Sequence, residues 1–413
     1  MVNIDLLLLL VFAIVLGIVM YFNRDKVKLE KIAFPLIYVL MYKTKIGLEL
    51  MDKIAKKFPK STAVFGFLGI VFGYLSMALI FIVLTVKVFD FLFRGDPTPI
   101  APLLPGIQTV PGIPVLSFWH WIISIFILAG IHEFSHGLLA RLHDIKLKSS
   151  GFAVLSVILP VVPAAFVEPD EEQLNKRSTR QQLEVLAAGS FSNYVTAAVF
   201  LLLFIFVVAP VSSMTVESEG VLIAGVHEGF PANLSGLNAG EEVLNVNNIV
   251  IEDIEGFLKT LEGVKPGDDI NIITNVSSYS ITAAARPISA TDKLQFWKEE
   301  RGYLGVVPTI VSSGYKEGFG AVGGVLAWIN LLFYWIFTIN LAVGMFNMLP
   351  LGPIDGGRMF YLAALFFVKN ERKAKKIWTV VSVFCLGLIV AGLMPFILKL
   401  LGFVFSPVIR LVF

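Results

Sequence analysis

Long runs without a charged residue constrain the fold of this sequence more than any other feature. Such apolar runs cover residues 6–23, 63–86, 185–215, 318–354 and 377–398. About 20 apolar residues in a helix cross the hydrocarbon core of a bilayer, so each run is long enough to be a membrane span. We therefore predict a polytopic α-helical membrane protein with about six transmembrane helices, re-entrant and β elements, and one inserted small α/β domain.

Composition excludes two other classes of protein. Charged residues make up 15 % of the 413 positions, whereas soluble domains usually carry about 25 %. The net charge of +2 provides no basic face, so no nucleic-acid partner is expected. Cys385 is the only cysteine in the sequence, so a metal site would have to use histidine and carboxylate ligands.

One further uncharged segment is not typical of a membrane span. Pro160 and Pro163 interrupt residues 151–167, whose many β-branched side chains favour strands. Non-helical backbone at membrane depth has to be covered by protein or line a wet cavity. This segment is therefore expected to form strands inside the protein.

A lysine-rich segment lies between the first two apolar runs. Over residues 31–60, Ile46, Leu50, Met51 and Ile54 fall on one face of a helix. Basic amphipathic helices of this kind lie in the membrane interface. The pattern predicts a helix on the membrane surface.

Basic residues predict the orientation of the chain. They cluster in residues 24–60, 141–180 and 369–376, which the positive-inside rule assigns to the cytosol. Residues 217–308 are then outside. We expect a multi-pass protein of the cell membrane, in contact with membrane lipid.

The sequence divides into four predicted parts. Residues 1–100 form an N-terminal anchor region with two spans, and residues 101–216 form the first half of a membrane core. Residues 217–308 form the small extracytoplasmic domain, and residues 309–413 the second half of the core with the C-terminal span.

Residues 217–308 differ from the rest in composition, because glycine and charged residues return there together. Turn signals separate a predicted strand over 220–226, a short helix that begins at Pro231 and a helix over 255–261. Asn247 and Asn248 lie between two apolar runs, as in a hairpin. The pattern predicts a small mixed α/β domain.

The apolar run over residues 115–140 contains the chemistry-bearing motif HExxH, formed by His132, Glu133 and His136. Ionisable groups at membrane depth are costly and are usually functional. In a helix, residues i and i+4 lie on one face, so the two histidines can hold one zinc ion while Glu133 reaches a water on it. A polar patch satisfied inside a helix bundle is the alternative interpretation.

Catalytic zinc sites have three protein ligands and one open position. His143 is about 10 Å further along the helix axis than His136, too far to share an ion. Asp355 is the one carboxylate at membrane level away from the motif, in a segment broken by proline and glycine. Asp355 is therefore the candidate third ligand, with a helix cap as its alternative role.

These motifs together resemble the site-2 protease family of intramembrane zinc metalloproteases. HExxH at residues 132–136 matches one family element, and the NxxPxxxxDG pattern from Asn347 to Gly356 matches another. Gly189 and Asn193 resemble the Gly-xxx-Asn segment of the helix between them, although Ser190 stands where many members have proline. The resemblance implies zinc bound by His132, His136 and Asp355.

The inserted domain resembles a PDZ domain of the bacterial type. Residues 229–247 carry this resemblance, and residues 301–306 are similar to the PDZ carboxylate-binding loop, in a permuted order. PDZ domains bind extended peptides by strand addition. The resemblance implies a peptide or C-terminus as a partner, while a small α/β insert that only supports the membrane part is the alternative.

The resemblance also implies a reaction: hydrolysis of a peptide bond in or near a transmembrane segment of a membrane-protein substrate, with Glu133 moving the proton. The amides of Asn193 and Asn347 are candidates for binding the substrate backbone or the oxyanion. Interhelical hydrogen bonding is the alternative role of each amide.

Two other functions stay open from the sequence. One is a membrane zinc protease that cuts soluble or lipid-modified peptides in a wet chamber, although the glutamate ligand typical of such enzymes is absent from the later apolar helices. The other is a membrane scaffold that binds peptides through the PDZ-like domain and keeps a vestigial metal site.

Overall fold

The apolar runs fold into helices in the computed structural model. It describes residues 3–33, 37–94, 100–107, 113–157, 159–227, 229–285, 302–316, 318–352 and 354–412, so Ile158, Arg301 and Pro353 lie outside the described residues. Two compact units are present: Met1–Phe206 with Leu331–Phe413, and Val207–Asn330.

Helices dominate the described chain. In chain order they are α1 Ile4–Phe22, α2 Leu48–Lys57, α3 Pro59–Arg94, α4 Phe118–Leu142, α5 Glu171–Asn175, α6 Thr179–Leu203, α7 Ala209–Ser213, α8 Pro231–Leu234, α9 Ile254–Leu261, α10 Gly320–Asn347, α11 Asp355–Val368 and α12 Glu371–Val412. A 3₁₀ turn spans Arg24–Lys26, and a π-helical segment, Phe204–Val208, connects α6 to α7.

Six helical segments of the described chain are long and apolar enough to cross a membrane. They are Ile4–Phe22, Pro59–Arg94, Phe118–Leu142, Thr179–Ser213, Gly320–Asn347 and Glu371–Lys399. The predicted polytopic α-helical architecture is confirmed.

The first unit also contains a four-stranded antiparallel sheet. Its strands, in spatial order, are β1 Val27–Ala33, β2 Ile37–Thr44, β3 Leu147–Val157 and β4 Leu159–Pro169. The strand prediction for residues 151–167 therefore agrees with the structure. β4 is an outer strand of this sheet, and β3 lies between β2 and β4.

The surface helix predicted over residues 31–60 is wrong for most of its length. Within this segment only α2 and the first two residues of α3 are helical. Helix α2 follows Gly47, whose φ of +83° is in the left-handed region. β2 instead pairs along β3, from Ile37 with Val157 to Thr44 with Ser150. The β-branched and aromatic residues of β2 favour a strand, and pairing with β3 satisfies an edge that would otherwise stay open.

A salt bridge ties the sheet together across its width. Lys43 Nζ on β2 lies 2.6 Å from Glu168 Oε2 on β4, and Ser149 Oγ on β3 donates to the same oxygen at 2.6 Å. These bonds hold the pKa of Glu168 below its usual range. The end of β4 that bears Glu168 is thereby fixed to its neighbour β3 and to β2, the next strand beyond it.

Helices α4 and α6 form the centre of the first unit. Leu139 and Ala140 on α4 are buried with Val185 and Ala188 on α6 in one apolar cluster. The small alanine side chains allow the two helix backbones to approach closely, as is common at helix interfaces in membranes. This contact fixes the face of α4 that carries the two motif histidines against α6.

The second unit contains the α/β elements predicted for the insert. Its strands are β5 Val216–Val226, β6 Glu242–Val246, β7 Ile249–Val250, β8 Asp269–Thr274, β9 Ser278–Thr282, β10 Ala284–Ala285, β11 Gly302–Tyr303 and β12 Val306–Tyr315. The larger sheet has the order β12-β5-β6-β8-β9, with β7 paired to β6, and β10 pairs with β11. Asn247 and Asn248 have φ values of 51° and 65°, as a tight hairpin turn requires.

Apolar side chains on one face of this sheet form the core of the second unit. Phe257 on α9 packs with Val221, Ile223, Ile272 and Ile281 from three strands, and all of these side chains are buried. The amphipathic helix thus covers the sheet, as expected for a small α/β domain.

Candidate metal centre

Helix α4 places two imidazole rings of the HExxH motif side by side. The Nε2 atoms of His132 and His136 are 3.1 Å apart, one turn from each other along the helix. His132 is buried, with 7 % of its surface exposed. The motif thus presents two nitrogen atoms to one point in the protein interior.

Asp355, the first residue of α11, completes a group of three. Its Oδ2 lies 3.5 Å from His132 Nε2 and 3.3 Å from His136 Nε2. Tetrahedral zinc with ligands at about 2.1 Å separates the ligand atoms by roughly 3.4 Å. The observed spacing fits one zinc ion bound by three protein atoms, with a fourth position open.

Among the residues that the structure describes, this is the group of histidine, cysteine and acidic side chains whose ligand atoms could share an ion. More than half of the chain separates His136 from Asp355. The fold therefore brings together two segments whose proximity no local pattern requires.

Gly189 on α6 leaves the space beside the two histidines open. A Cβ atom added at this position would lie 2.6 Å from His132 Nε2, closer than van der Waals contact. Any residue with a side chain at this position would fill the space beside the histidines. The glycine of the Gly-xxx-Asn segment keeps that space open for an ion.

The ring nitrogens that face away from the centre have partners that orient the rings. His136 Nδ1 donates to the carbonyl oxygen of Val185 at 2.7 Å, which leaves the lone pair of Nε2 directed at the centre. Such partners fix the tautomer and orientation of metal-binding histidines. The tautomer of His136 is the one that a metal ligand needs.

Asn193 is the partner of His132 Nδ1, as Val185 is the partner of His136 Nδ1. Its side-chain amide lies 3.0 Å from His132 Nδ1, and its Oδ1 is buried without a hydrogen-bond partner. Rotating the amide by 180° exchanges its oxygen and nitrogen, and Oδ1 then accepts from Nδ1–H of the imidazole. In this orientation Asn193 Oδ1 has a hydrogen-bond donor, and His132 has the tautomer that a zinc ligand needs.

This contact favours the positioning of His132 as the role of Asn193. The sequence offered two roles for this amide, binding of substrate or oxyanion and hydrogen bonding between helices, and the contact with His132 joins α6 to α4, as in the second role. Asn347, the second such amide, is the half-buried last residue of α10. Its role in substrate or oxyanion binding stays a prediction.

Glu133 points its carboxylate at the outer strand of the sheet. Its Oε2 accepts a hydrogen bond of 2.9 Å from the backbone N–H of Val167 on β4. The sequence predicted a catalytic role for Glu133 but gave no sign of this bond. The contact fixes one of the two carboxylate oxygens.

Two glycines shape the turn that carries Asp355. A side chain at Gly356 would overlap the backbone of Met348, and one at Gly357 would overlap the backbone of Leu351. The two glycines are therefore required where α11 begins, because the preceding segment folds back onto its first turn.

Comparison with known proteins decides the family. Residues 120–389, well over half of the chain, match the profile of Peptidase family M50. The chain belongs to peptidase family M50. Its resemblance to the site-2 proteases is thereby confirmed, and with six apolar helices the M50 protein is a multi-pass membrane metalloprotease.

Two curated relatives match most of their own length, and the name of one of them agrees with this assignment. A protein of Clostridium perfringens named "Putative zinc metalloprotease" is 24 % identical over 297 residues, which cover 61 % of this chain and 84 % of that protein. An uncharacterized protein of Methanocaldococcus jannaschii is 25 % identical over 355 residues, covering 84 % of this chain and 83 % of that protein.

One solved structure resembles part of the M50 chain. The PDZ domain of an SdrC-like protein from Listeria innocua is 20 % identical and covers 22 % of this chain and 93 % of its own, with a TM-score of 0.17.

His143 of the M50 protein is engaged away from the centre, in a cluster that the sequence did not reveal. Its Nε2 lies 2.7 Å from Glu184 Oε2, and Arg180 Nε donates to Glu184 Oε1 at 2.8 Å. Glu184 is buried on α6. The packing of α4 against α6 thus gives His143 a structural partner, in line with its exclusion from the candidate ligands.

Proposed function

We propose that this protein is an intramembrane zinc endopeptidase that hydrolyses a peptide bond within or near the transmembrane segment of a membrane-protein substrate. The observation that carries the proposal is the group formed by His132, His136 and Asp355, with Glu133 one residue from the first ligand and bonded to β4. This group lies in helices that belong to a membrane-spanning architecture.

His132, His136 and Asp355 are assigned as zinc ligands, and Glu133 as the general base and acid. Zinc would supply Lewis acidity, which lowers the pKa of water and polarises a carbonyl group. Glu133 takes the proton of the attacking water on Oε1, since Oε2 is held by Val167. Glu133 then returns this proton to the leaving amine as the peptide bond breaks.

The outer edge of β4 is suited to hold the substrate in an extended form. An α-helix occupies its carbonyl groups in internal hydrogen bonds, so a substrate helix has to unwind before a peptide bond can be attacked. The N–H of Val167 points away from β3, toward Glu133. Because strand residues alternate, the N–H and C=O of Ala165 point the same way and can pair with an extended substrate.

The second unit is proposed to act as a PDZ-like peptide-binding module outside the membrane. Its candidate carboxylate loop is anchored, since Leu304 and Gly305 accept backbone hydrogen bonds from Ala232 at 2.9 Å and His227 at 2.8 Å. β12, which follows this loop, is the outer strand of its sheet. An outer strand next to a carboxylate loop can bind a peptide end by strand addition.

This module has two possible effects on cleavage, capture of a new C-terminus or exclusion of bulky substrates. Deletion of residues 217–308 distinguishes them in the full protein. Loosened substrate selection supports exclusion, whereas loss of all cleavage supports capture.

The orientation proposed from the basic loops puts the module outside the cell membrane and the metal centre toward the cytosol. Cleavage of a single-span substrate would then release a cytosolic fragment, as in regulated intramembrane proteolysis. Protease accessibility of residues 217–308 in intact cells tests this orientation.

The deciding experiment measures zinc content and cleavage of a model single-span substrate in the same purified samples. We expect one zinc per wild-type chain, loss of zinc in Asp355→Ala, and retained zinc without cleavage in Glu133→Gln. Glu172→Gln is the matched control, since Glu172 is exposed and pairs only with Lys176 on α5's surface. Wild-type protein without zinc or cleavage would overturn the proposal and favour a peptide-binding scaffold.

A further inference from the structure

Helix α4 and strand β4 are in close contact at Gly137 and lie further apart toward the start of α4. A Cβ atom added at Gly137 would lie 2.5 Å from Met51 Sδ and 3.2 Å from Val167 Cγ1, so little space is left there. At Gly130, about two turns nearer the start of α4, an added Cβ would meet nothing within 4 Å. A wedge-shaped gap therefore opens between the two elements, on the face of α4 that carries Glu133.

This gap, the α4–β4 cleft, is a cavity of about 40 Å³. A water-sized sphere needs about 10–15 Å³ by this measure, so the cleft has room for a small group of atoms. Its lining includes Phe126, Ala129, Gly130, Phe152, Ala164 and Ala165. Four of these lining residues have small side chains or none, and the other two are phenylalanines.

The cleft lies next to the proposed general base. Phe126, Gly130 and Glu133 are spaced by four and three residues, so they share one face of α4. On β4, Ala165 is two residues from Val167, the partner of Glu133. A substrate side chain in the cleft would therefore belong to a residue close to the peptide bond that Glu133 is proposed to help cleave.

The register of the sheet shows which substrate side chain would enter. Phe152 on β3 pairs with Ala165 on β4, and cross-strand partners place their side chains on the same face of a sheet. A substrate residue paired opposite Ala165 would place its side chain on this face too. It would then lie beside Phe152 and enter the cleft.

We propose that the α4–β4 cleft is a specificity subsite that accepts one aliphatic side chain, from alanine to leucine in size, beside the cleaved bond, and rejects aromatic ones. This inference rests on the proposed function and adds a substrate class to it. Phe126 and Phe152 are 49 % and 44 % exposed, so an aliphatic side chain between them removes apolar surface from contact with solvent or lipid.

The test uses the full-length protein and a single-span substrate whose residues around the cleaved bond are set, one position at a time, to Ala, Leu or Phe. We expect one position at which wild type cleaves the Ala and Leu forms and cleaves the Phe form at least about tenfold more slowly, as is usual when an apolar pocket discriminates by size. The product ends are located by mass spectrometry.

Two variants change the size of the cleft in opposite directions. Gly130→Leu fills it, so cleavage of the Leu form should fall about tenfold relative to the Ala form. Phe126→Ala enlarges it, so cleavage of the Phe form should rise relative to the Ala form. Gly387→Leu on α12 is the matched control, because Gly387 is exposed, an added Cβ there meets nothing within 4 Å, and the size preference should not change.

The outcomes separate the two proposals. Unchanged size preference in Gly130→Leu and Phe126→Ala, with wild-type zinc content, overturns the subsite and leaves the proposed function intact. Absence of cleavage by wild type for every substrate form overturns the proposed function and the subsite with it. If Gly130→Leu does not fold, Phe126→Ala alone tests the subsite. The subsite proposal requires this variant to cleave the Phe form faster, relative to the Ala form, than wild type does.

Discussion

The carboxylate of Glu133 accepts a hydrogen bond of 2.9 Å from the backbone N–H of Val167. This bond joins the HExxH helix to the outer strand of a sheet, so the proposed base and the proposed substrate-binding edge have a fixed relation. The edge can then present a peptide bond to Glu133 without a rearrangement of the base.

Removal of the Val167 N–H should impair catalysis without loss of metal. Val167→Pro deletes the donor, and proline is tolerated where the N–H of an outer strand does not serve the sheet. A positioned proton-transfer group typically contributes about 10²–10⁴-fold. Because Val167→Pro disturbs the position of this group and does not remove it, we expect kcat/KM to fall by at least about tenfold. The measurement is cleavage of the model substrate at equal zinc content.

Val167→Ala is the control for this variant, because it shortens the same side chain, which lies close to Gly137, and keeps the N–H. Equal losses in Val167→Pro and Val167→Ala would show that packing, and not the hydrogen bond to Glu133, matters at this position.

Substitution of Gly189 by alanine should weaken zinc binding. Alanine normally stabilises a helix interior relative to glycine, by about 0.5–1 kcal/mol, but here its Cβ would lie 2.6 Å from His132 Nε2. We therefore expect lower zinc affinity in a protein that is still folded. Competition with a zinc chelator measures the affinity, and Gly387→Ala, with an open Cβ position, should behave like wild type. Unchanged affinity in Gly189→Ala would show that the space beside the histidines is not used.

Asn193 should act through the tautomer of His132. Partners of this kind typically contribute about 10–100-fold to metal affinity, so Asn193→Leu should lose zinc by such a factor. Asn193→Asp keeps an oxygen that accepts from Nδ1–H and should retain most of the affinity. If instead Asn193→Leu keeps its zinc and loses only cleavage, the amide binds substrate or oxyanion.

The second unit should lose stability in acid through Glu241. Burial raises the pKa of this carboxylate, but hydrogen bonds from Thr274, Tyr279 and the Asn238 N–H outweigh it and leave the pKa below its usual value. A group with a lowered folded pKa stabilises the fold above its unfolded pKa, about 4.3 for glutamate, and this contribution is lost as the pH falls through the folded pKa.

Hydrogen exchange in Val207–Asn330 of the full protein, corrected for intrinsic rates, measures this pH dependence. Glu241→Gln should reduce protection at pH 7 and flatten its dependence on pH. Glu252→Gln is the control, because Glu252 is exposed. An unchanged pH profile in Glu241→Gln would assign the acid sensitivity to other groups.

The sequence predicted the features that depend on local patterns. Uncharged runs predict helical spans, and the polytopic architecture is confirmed. HExxH and the NxxPxxxxDG pattern predict the family, which is also confirmed. Both kinds of signal come from residues close together in the chain, where spacing determines which side chains share a face.

Features that depend on distant pairing were not predictable in the same way. Residues 31–60 have a helical apolar pattern, yet β1 and β2 formed because β3, more than 100 residues later, offers an edge. The hydrogen bond between Glu133 and Val167 and the pair of His143 with Glu184 likewise join residues from different elements. The spacing of residues within one segment does not show which of these elements pack together.

The position of Asp355 in the chain has a consequence for biosynthesis. The whole second unit lies between His136 and Asp355, and Asp355 begins α11. During synthesis the two histidines are in the membrane long before the carboxylate emerges from the ribosome. A nascent chain therefore lacks one of the three candidate ligand atoms. If these atoms bind the zinc as proposed, the metal centre is incomplete until the membrane core is nearly complete.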